Sequence, residues 1–425
     1  MTQSKAQANA ESTYFPKEGL APEAVFAELD AASANDVDWR DGRLGLYVHF
    51  GGDDVLAVAK EAYLRFFSEN ALGPSAFPSL KKFETEVVAW TGDLLGGHDV
   101  AGNITSGGTE SIFLAMKSMR DRARARGEGG DWPEVVAPFS AHAGFDKAAH
   151  LMNMRVIRTP LRDDLRADVD AMREAVTPDT IGMVGSAPGF PHGVVDPIED
   201  IAAVARAHDL WLHVDCCVGG YILPHARALG YRVPAFDFSV PGVCSISADL
   251  HKYGFAAKGA STVVYRDAEL HSFQPYVFED WPRGRYAVPT FAGSRPGGAV
   301  AAAWAVMRYL GRAGYERIVG DIMGACTRLA EGIHAEPELR VLGDPEGPIM
   351  TYGADELDIF AVAEALEEQG WFVTRGAEPP CIHLGMLTMM HVPVIDRYLT
   401  DLRGAVQAVR DGRVRKGAAR VTYGG

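Results

Sequence analysis

The chain has 425 residues, 47% of them hydrophobic and 23% charged, and a formal net charge of −15. That length exceeds one ordinary core, so a large domain with a smaller one attached is expected, and the composition leaves no segment polar enough for extended disorder. The acidic balance argues against a nucleic-acid partner, because phosphate backbones are held by surplus Lys and Arg, so any anionic ligand must meet a locally positive pocket.

The opening stretch MTQSKAQANAESTYFPKEG lacks the basic-then-apolar layout of a secretory signal. No later run of about 18 apolar residues offers a bilayer span. A cytoplasmic chain without an integral membrane segment is therefore expected. Residues 1–55 read as an N-terminal arm, 56–312 as the large domain and 313–425 as a smaller C-terminal α/β domain.

From about residue 100 to 266 short β-rich runs alternate with helical patterns. PEVVAPFS, MRVIRTP, IGMVGSAP, LWLHVDCC, VCSISAD and STVVYR read as strands, and 109–126, 145–152, 167–176 and 197–208 as helices. This alternation predicts an α/β fold with a mainly parallel sheet covered on both faces, whose ligands collect at the carboxyl ends of its strands. The aromatic, Pro- and Gly-rich stretch 271–298 reads as a long ordered loop rather than a sheet element. A long helical segment follows it, and 338–412 mixes strand and helix signals. Five cysteines form no disulfide framework. Cys216 and Cys217, neighbours on a predicted strand, point to opposite faces, so no metal site is expected.

Three places carry chemistry. GNITSGGTESIFLAMKSMRDRAR joins a Gly-rich turn to a helix. Gly107 and Gly108 let the backbone turn close to a ligand, and the N–H groups around Thr109 and Glu110 sit at the positive end of the helix dipole. Taken alone, a glycine-assisted helix start and an anion site are equal readings. LWLHVDCCVGG ends a strand with His213, Asp215 and Cys217 alternating onto one face, where a buried carboxylate needs a cationic or hydrogen-bonding partner. ISADLHKYGFAAKG ends another strand at Lys252, with Lys258 just beyond. A phosphate cup, a strand-end carboxylate and a strand-end lysine are the protein parts that pyridoxal phosphate needs. Desolvation and the second cation at Lys258 are expected to lower the Lys252 pKa and free its amine.

With these residues in view the chain resembles the group II pyridoxal-phosphate decarboxylase family, and within it most closely the sphingosine-1-phosphate lyases. The likeness runs from about Leu46 to Tyr309 through ENALGPSAFPSLKKFETEVV, TSGGTES, APFSAHAGFDKAAH, FPHGVVDPI, HVDCCVGG, FDFSVPGVCSISADLHKYGFAAKGAS and FAGSRPGG. It implies a fold-type I transferase-like architecture, with the large domain binding pyridoxal 5'-phosphate. It further implies that Lys252 carries the cofactor covalently, Asp215 faces the pyridine nitrogen and His142 stacks on the ring. Gly108, Thr109 and His251 then bind the cofactor phosphate, joined by Ser294 from a second copy in a homodimer with shared sites. Tyr47, Asn70 and Lys258 match positions lining a substrate phosphate pocket, and Tyr286 lies in an active-site loop. Lys252, Tyr286 and the cofactor phosphate are the candidate bases.

The chain departs from the family pattern in three places. NALG puts Gly73 where a phosphate-contacting His is expected, Arg285 precedes Tyr286 where an aliphatic residue is usual, and Cys216 replaces an Ala. Arg285 is read as an anion contact, a carboxylate clamp or a solvated loop residue. The leading expectation is retro-aldol carbon–carbon cleavage of a phosphorylated 2-amino-3-hydroxy long-chain base, giving a fatty aldehyde and phosphoethanolamine. An amino-acid decarboxylase is the alternative, and a catalytically inactive cofactor-binding scaffold a further one.

Overall fold

In the computed structural model residues 15–414 are described, so the first 14 residues of the expected arm and the last 11 of the chain lie outside the description. The described residues up to Trp39 form a unit of their own. Its helix, Pro22–Ser33, begins with proline in the first turn, where a missing N–H costs nothing, and buries none of its residues.

The second unit, from Arg40, is organised by two sheets. Seven strands make the larger: β1 Ala101–Thr105, β2 Glu134–Pro138, β3 Arg155–Thr159, β4 Thr180–Ser186, β5 Trp211–Asp215, β6 Val243–Ala248 and β7 Ser261–Tyr265. Their order is β1-β7-β6-β5-β4-β2-β3, with β7 antiparallel to both neighbours and the other pairings parallel. Alternate residues feed two apolar clusters. Val135 and Ala137 pack with Ile112, Met116 and Phe145, whereas Val136 joins Ile198 and Ile201. Both faces are therefore covered, as the β/α alternation requires.

The six predicted strands and four predicted helices are all present, with ends displaced by a few residues. Strand β1 escapes the sequence pattern because Gly102 and Asn103 disfavour strands on propensity. Its place is fixed by pairing, since a Cβ on Gly102 would stand 2.3 Å from the Val263 carbonyl oxygen across β7.

The expectation of a loop without sheet structure over 271–298 is corrected. Strands β8 Tyr276–Phe278 and β9 Tyr286–Val288 form an antiparallel hairpin, with Phe278 opposite Tyr286. Edge-on contacts of Tyr286 with Tyr276 and Trp281 hold it, an aromatic cross-strand stabilisation that a Pro and Gly count conceals. Cys216 and Cys217 are corrected too: β5 ends at Asp215, and both lie in the turn that follows.

Helix Gly297–His334 packs against helices Asp53–Arg65, Pro78–Leu94 and Leu223–Ala228 and is interrupted at Gly311, whose φ of 52° lies in the left-handed region. Beyond it β10 Leu339–Val341, β11 Ile349–Ala354, β12 Thr374–Ala377 and β13 Pro380–Met386 form an antiparallel sheet in the order β10-β11-β13-β12. The segment after Gly42 is sewn to this sheet by Phe372 N–H to Arg43 O (3.0 Å) and Met386 N–H to Gly45 O (2.7 Å). Leu44 and Leu46 are buried there, which brings Tyr47 and His49 to the carboxyl edge of the large sheet.

Candidate active site

A cavity of about 560 Å³ opens at the carboxyl ends of the central strands. Eight of the expected site residues line it: Lys252, Asp215, His142 and His251, together with Gly108, Thr109, Tyr47 and Lys258.

Helix Gly108–Arg126 starts at this cavity without a side-chain cap, so its first N–H groups point into the open space. Glu110 turns back to accept from Ser106 N–H (2.6 Å) and from Phe291 N–H (2.8 Å), pinning the turn. Gly108 is required by closeness. A Cβ there would lie 2.7 Å from Cys217 Sγ and 2.9 Å from each Asp249 oxygen.

Asp215 is held by a directed hydrogen-bond chain. Trp211 Nε1–H, which can only donate, gives to Ser245 Oγ at 2.9 Å. Ser245 then donates to His213 Nδ1 (2.8 Å), and His213 Nε2–H donates to Ser247 Oγ at 3.2 Å. Ser247 passes its own proton to Asp215 Oδ1 (3.2 Å), which also accepts from Cys217 N–H (3.0 Å). Burial lowers the His213 pKa to about 4, so the ring is neutral, as a relay that accepts at one nitrogen and donates at the other demands. Every donor in the chain thus points toward the carboxylate.

Lys252 follows β6 in a turn that aromatic rings clamp. Phe255 has φ of 55° and packs on Gly51 and Tyr315, while the Tyr315 hydroxyl donates to Gly254 O (3.0 Å) and the Tyr253 hydroxyl to Leu387 O (2.8 Å). The amine lies 2.9 Å from Asp249 Oδ2, on a carboxylate only 2% exposed. This corrects the expectation for Lys252. Burial, the largest single influence, acts to lower its pKa, but the surrounding groups, Asp249 first among them and Asp215 behind it, together outweigh burial and the net shift is upward. The lowered lysine is Lys258, brought down to about 8 by burial and by the neighbouring Lys252 charge. Its ammonium donates to His49 Nδ1 (3.3 Å) and to His251 O (3.2 Å). Burial and the two lysines hold His49 well below 6.5, and burial takes His251 down to about 4.

Tyr47, on the same wall, has φ of 71°, and Val48 N–H bonds back across it to Leu46 O at 2.9 Å, the strained three-residue turn. His142 sits on another wall, its Nδ1 accepting from Gly144 N–H at 3.0 Å.

The remaining expected residues are elsewhere. Asn70 donates to Ser294 Oγ (2.9 Å) and accepts from Arg295 N–H (3.2 Å), and neither Asn70 nor Ser294 lines this cavity. Arg295 anchors that pair through Glu84 (2.5 Å). Tyr286 Oη lies within 3.8 Å of the position a Cβ on Gly293 would take, so it belongs to the same group. Arg285 pairs with Glu279 at 2.9 Å on the exposed hairpin. Sequence reasoning missed His49, Asp249, Ser186 and Ser247. Asp249 alone left a signal, a carboxylate three residues before a lysine, the spacing of a local ion pair.

The residues of the cavity fit pyridoxal phosphate. Two buried polar atoms of its lining residues, Ser186 Oγ and Asp249 Oδ1, have no hydrogen-bond partner. The uncapped helix start suits a phosphate, the fixed carboxylate suits a pyridine nitrogen and the amine suits an aldehyde. The class this arrangement defines is that of the pyridoxal-phosphate enzymes of the α/β type.

Known proteins narrow the class. The pyridoxal-dependent decarboxylase conserved domain matches residues 48–353, and the chain belongs to that family. It is 44% identical to a sphingosine-1-phosphate lyase of Arabidopsis thaliana over 93% of this chain and 74% of that protein. The solved structure of a Burkholderia pseudomallei sphingosine-1-phosphate lyase superposes with a TM-score of 0.90 at 38% identity, covering 94% of both chains. A probable L-tyrosine/L-aspartate decarboxylase of Methanothermobacter thermautotrophicus is 33% identical over 82% of this chain and 93% of that protein. The chain is a pyridoxal-phosphate-dependent lyase. Among the described residues no group of three or more His, Cys, Asp or Glu side chains is placed to hold a metal ion.

Proposed function

We propose that this enzyme cleaves the C2–C3 bond of a phosphorylated 2-amino-3-hydroxy long-chain base, giving a fatty aldehyde and phosphoethanolamine. One observation carries the reading. Besides the helix start the cavity wall carries a second lysine, Lys258, beside His49 and on a wall shared with Tyr47, which gives a substrate phosphate a cation to meet. Identity of 36–44% to curated sphingosine-1-phosphate lyases over more than nine-tenths of the chain supports it.

In this reading Lys252 carries the cofactor, Asp215 holds the pyridine nitrogen protonated and His142 lies against the ring. Gly108, Thr109 and His251 hold its phosphate. When bound, pyridoxal phosphate supplies the electron sink for the pair left as the carbon–carbon bond breaks. The protein's own part is to fix the substrate phosphate at Tyr47 and Lys258 and to take the proton of the β-hydroxyl, at Lys252 Nζ or Tyr286 Oη.

We further propose a homodimer in which Asn70, Ser294 and Tyr286 of one copy complete the cavity of the other. Their grouping away from the Lys252 cavity of their own chain supports this. So do the exposed Phe291 and Phe67, at 79% and 70%, and an apolar hollow of about 500 Å³ beside Phe66 and Trp304. A cytoplasmic location is supported by five free cysteines.

Incubation with a phosphorylated long-chain base, and separately with a panel of amino acids, tests the function. Aldehyde with phosphoethanolamine is expected. Carbon dioxide without aldehyde would move the assignment to decarboxylation, the reading that the archaeal relative favours.

A further inference from the structure

The amine of Lys252 has a partner that the proposed chemistry does not use. Asp249 Oδ2 is 2.9 Å from Nζ, and the carboxylate is 2% exposed. Its other oxygen has no hydrogen-bond partner, and both oxygens face the gap left by the missing side chain of Gly108. The carboxylate therefore stands on the cavity wall between the amine and the helix start.

We propose that Asp249 is a positioning residue that keeps the Lys252 amine charged in the cofactor-free protein, so that aldehydes without an anionic group are refused.

The chemistry follows from the lone pair. An ammonium has none, so a proton must leave for solvent before the nitrogen can attack; the carbon–nitrogen bond then forms and water departs. With Asp249 2.9 Å away in a buried site, that proton is held tightly. An aldehyde bearing a phosphate is retained at the helix start and waits beside the amine at high effective concentration, whereas a plain aldehyde leaves first. Under the proposed function the product is itself an aldehyde, so an unguarded amine would be captured by it.

The groups facing Lys252 agree. Asp249 and His251 come from its own turn, Asp215 from the end of β5 and Cys217 from the turn after it, Lys258 from the loop beyond and His49 from the segment after Leu46. Both histidines are held neutral near pH 7, and burial raises the Cys217 thiol far above its ordinary value. Two carboxylates are thus set against one further cation, and Asp249, at 2.9 Å, is the one in direct contact with the amine.

The inference rests on Lys252 being the attachment point, and the experiment separates the two. Cofactor-free protein is treated with butanal, or with pyridoxal phosphate, under a mild reductant across about pH 6 to 10, and modified lysines are mapped by mass spectrometry. Butanal capture at Lys252 is expected to be still rising near the top of this range, and Lys258 to be captured at lower pH. In Asp249→Asn, capture of butanal at Lys252 near neutrality should rise at least about tenfold, one pH unit of midpoint or more, while capture of pyridoxal phosphate changes less. A wild-type Lys252 profile that levels off below about pH 9, the ordinary lysine value being about 10.4, overturns the proposal and needs no variant. Equal capture in the two proteins overturns it as well. Pyridoxal phosphate captured at another residue would instead overturn the attachment reading.

Discussion

Ser247 is the last link before Asp215, and removing its hydroxyl tests whether the hydrogen-bond chain sets the carboxylate. In Ser247→Ala, Asp215 keeps only the Cys217 N–H at 3.0 Å, and His213 Nε2–H loses its acceptor in a fully buried site. A hydrogen bond to a charged group is worth about 1.5–3 kcal/mol, and a buried donor left unpaired costs about 1–3 kcal/mol. Because the two share one atom they do not add fully, and about 3 kcal/mol is the expected loss. At about 2.1 cal/mol/K per residue a chain of this length loses roughly 1 °C per kcal/mol, so the melting midpoint of the cofactor-free protein should fall by about 3 °C. Cofactor affinity, followed by the visible band on titration, should weaken about tenfold, because Asp215 is less firmly placed. Ser245→Ala is the control. It breaks the bonds to Trp211 and His213, at 2.9 and 2.8 Å, without touching Asp215, so it should cost similar stability and little affinity. Equal cofactor affinity in the two variants would refute the directed chain.

Further expectations follow from the same site. Lys252→Ala should abolish the visible absorbance that protein-bound cofactor gives, while leaving the fold intact by circular dichroism. Gly108→Ala places a Cβ 2.7 Å from Cys217 Sγ, and overpacking of about 1–3 kcal/mol should weaken cofactor binding about 5- to 150-fold by titration. Gly73→His should fold normally, since only Ala76 lies within 4 Å of the added carbon, and should raise affinity for the substrate phosphate about tenfold, read from KM. Stability should fall on acidification. His192, His213, His225 and His251 are lowered to about 4 by burial, so between 6.5 and 4 the unfolded chain binds protons that the folded one does not. Asp196, raised to about 6 by burial, and Glu346, also raised by burial, act with the opposite sign, but they stand against these four histidines and against His49, His271, His383 and His391, which burial lowers too. A melting midpoint that is flat from about pH 7 to 4.5 would contradict this balance.

The large sheet was legible in the sequence because its central strands are buried on both faces, and runs such as PEVVAP and LWLHVD announce that burial directly. What escaped was held by pairing rather than by composition. Strand β1 carries Gly102 and Asn103 and exists because β7 accepts it, and the hairpin β8–β9 stands on aromatic contacts across its two strands. The segment carrying Tyr47 and His49 was read as part of an arm, since its partners at Phe372, Met386 and Met389 lie more than 300 positions away.

The candidate site shows the same division between what residue type reveals and what distance decides. An amine, a carboxylate and a glycine turn at strand and helix ends are visible as types, and the structure gathers them around one cavity. Their charge states are not visible as types. Two lysines close together in sequence imply mutual depression, yet one has Asp249 at 2.9 Å and the other has neutral His49 at 3.3 Å, so the depression falls on Lys258. That asymmetry suits the different tasks the proposed function gives the two amines. Under that proposal a lysine lowered by burial gives up its charge, and with it a phosphate-bearing product, more readily than one paired with a carboxylate, while the paired lysine is held in place until a cofactor aldehyde reaches it.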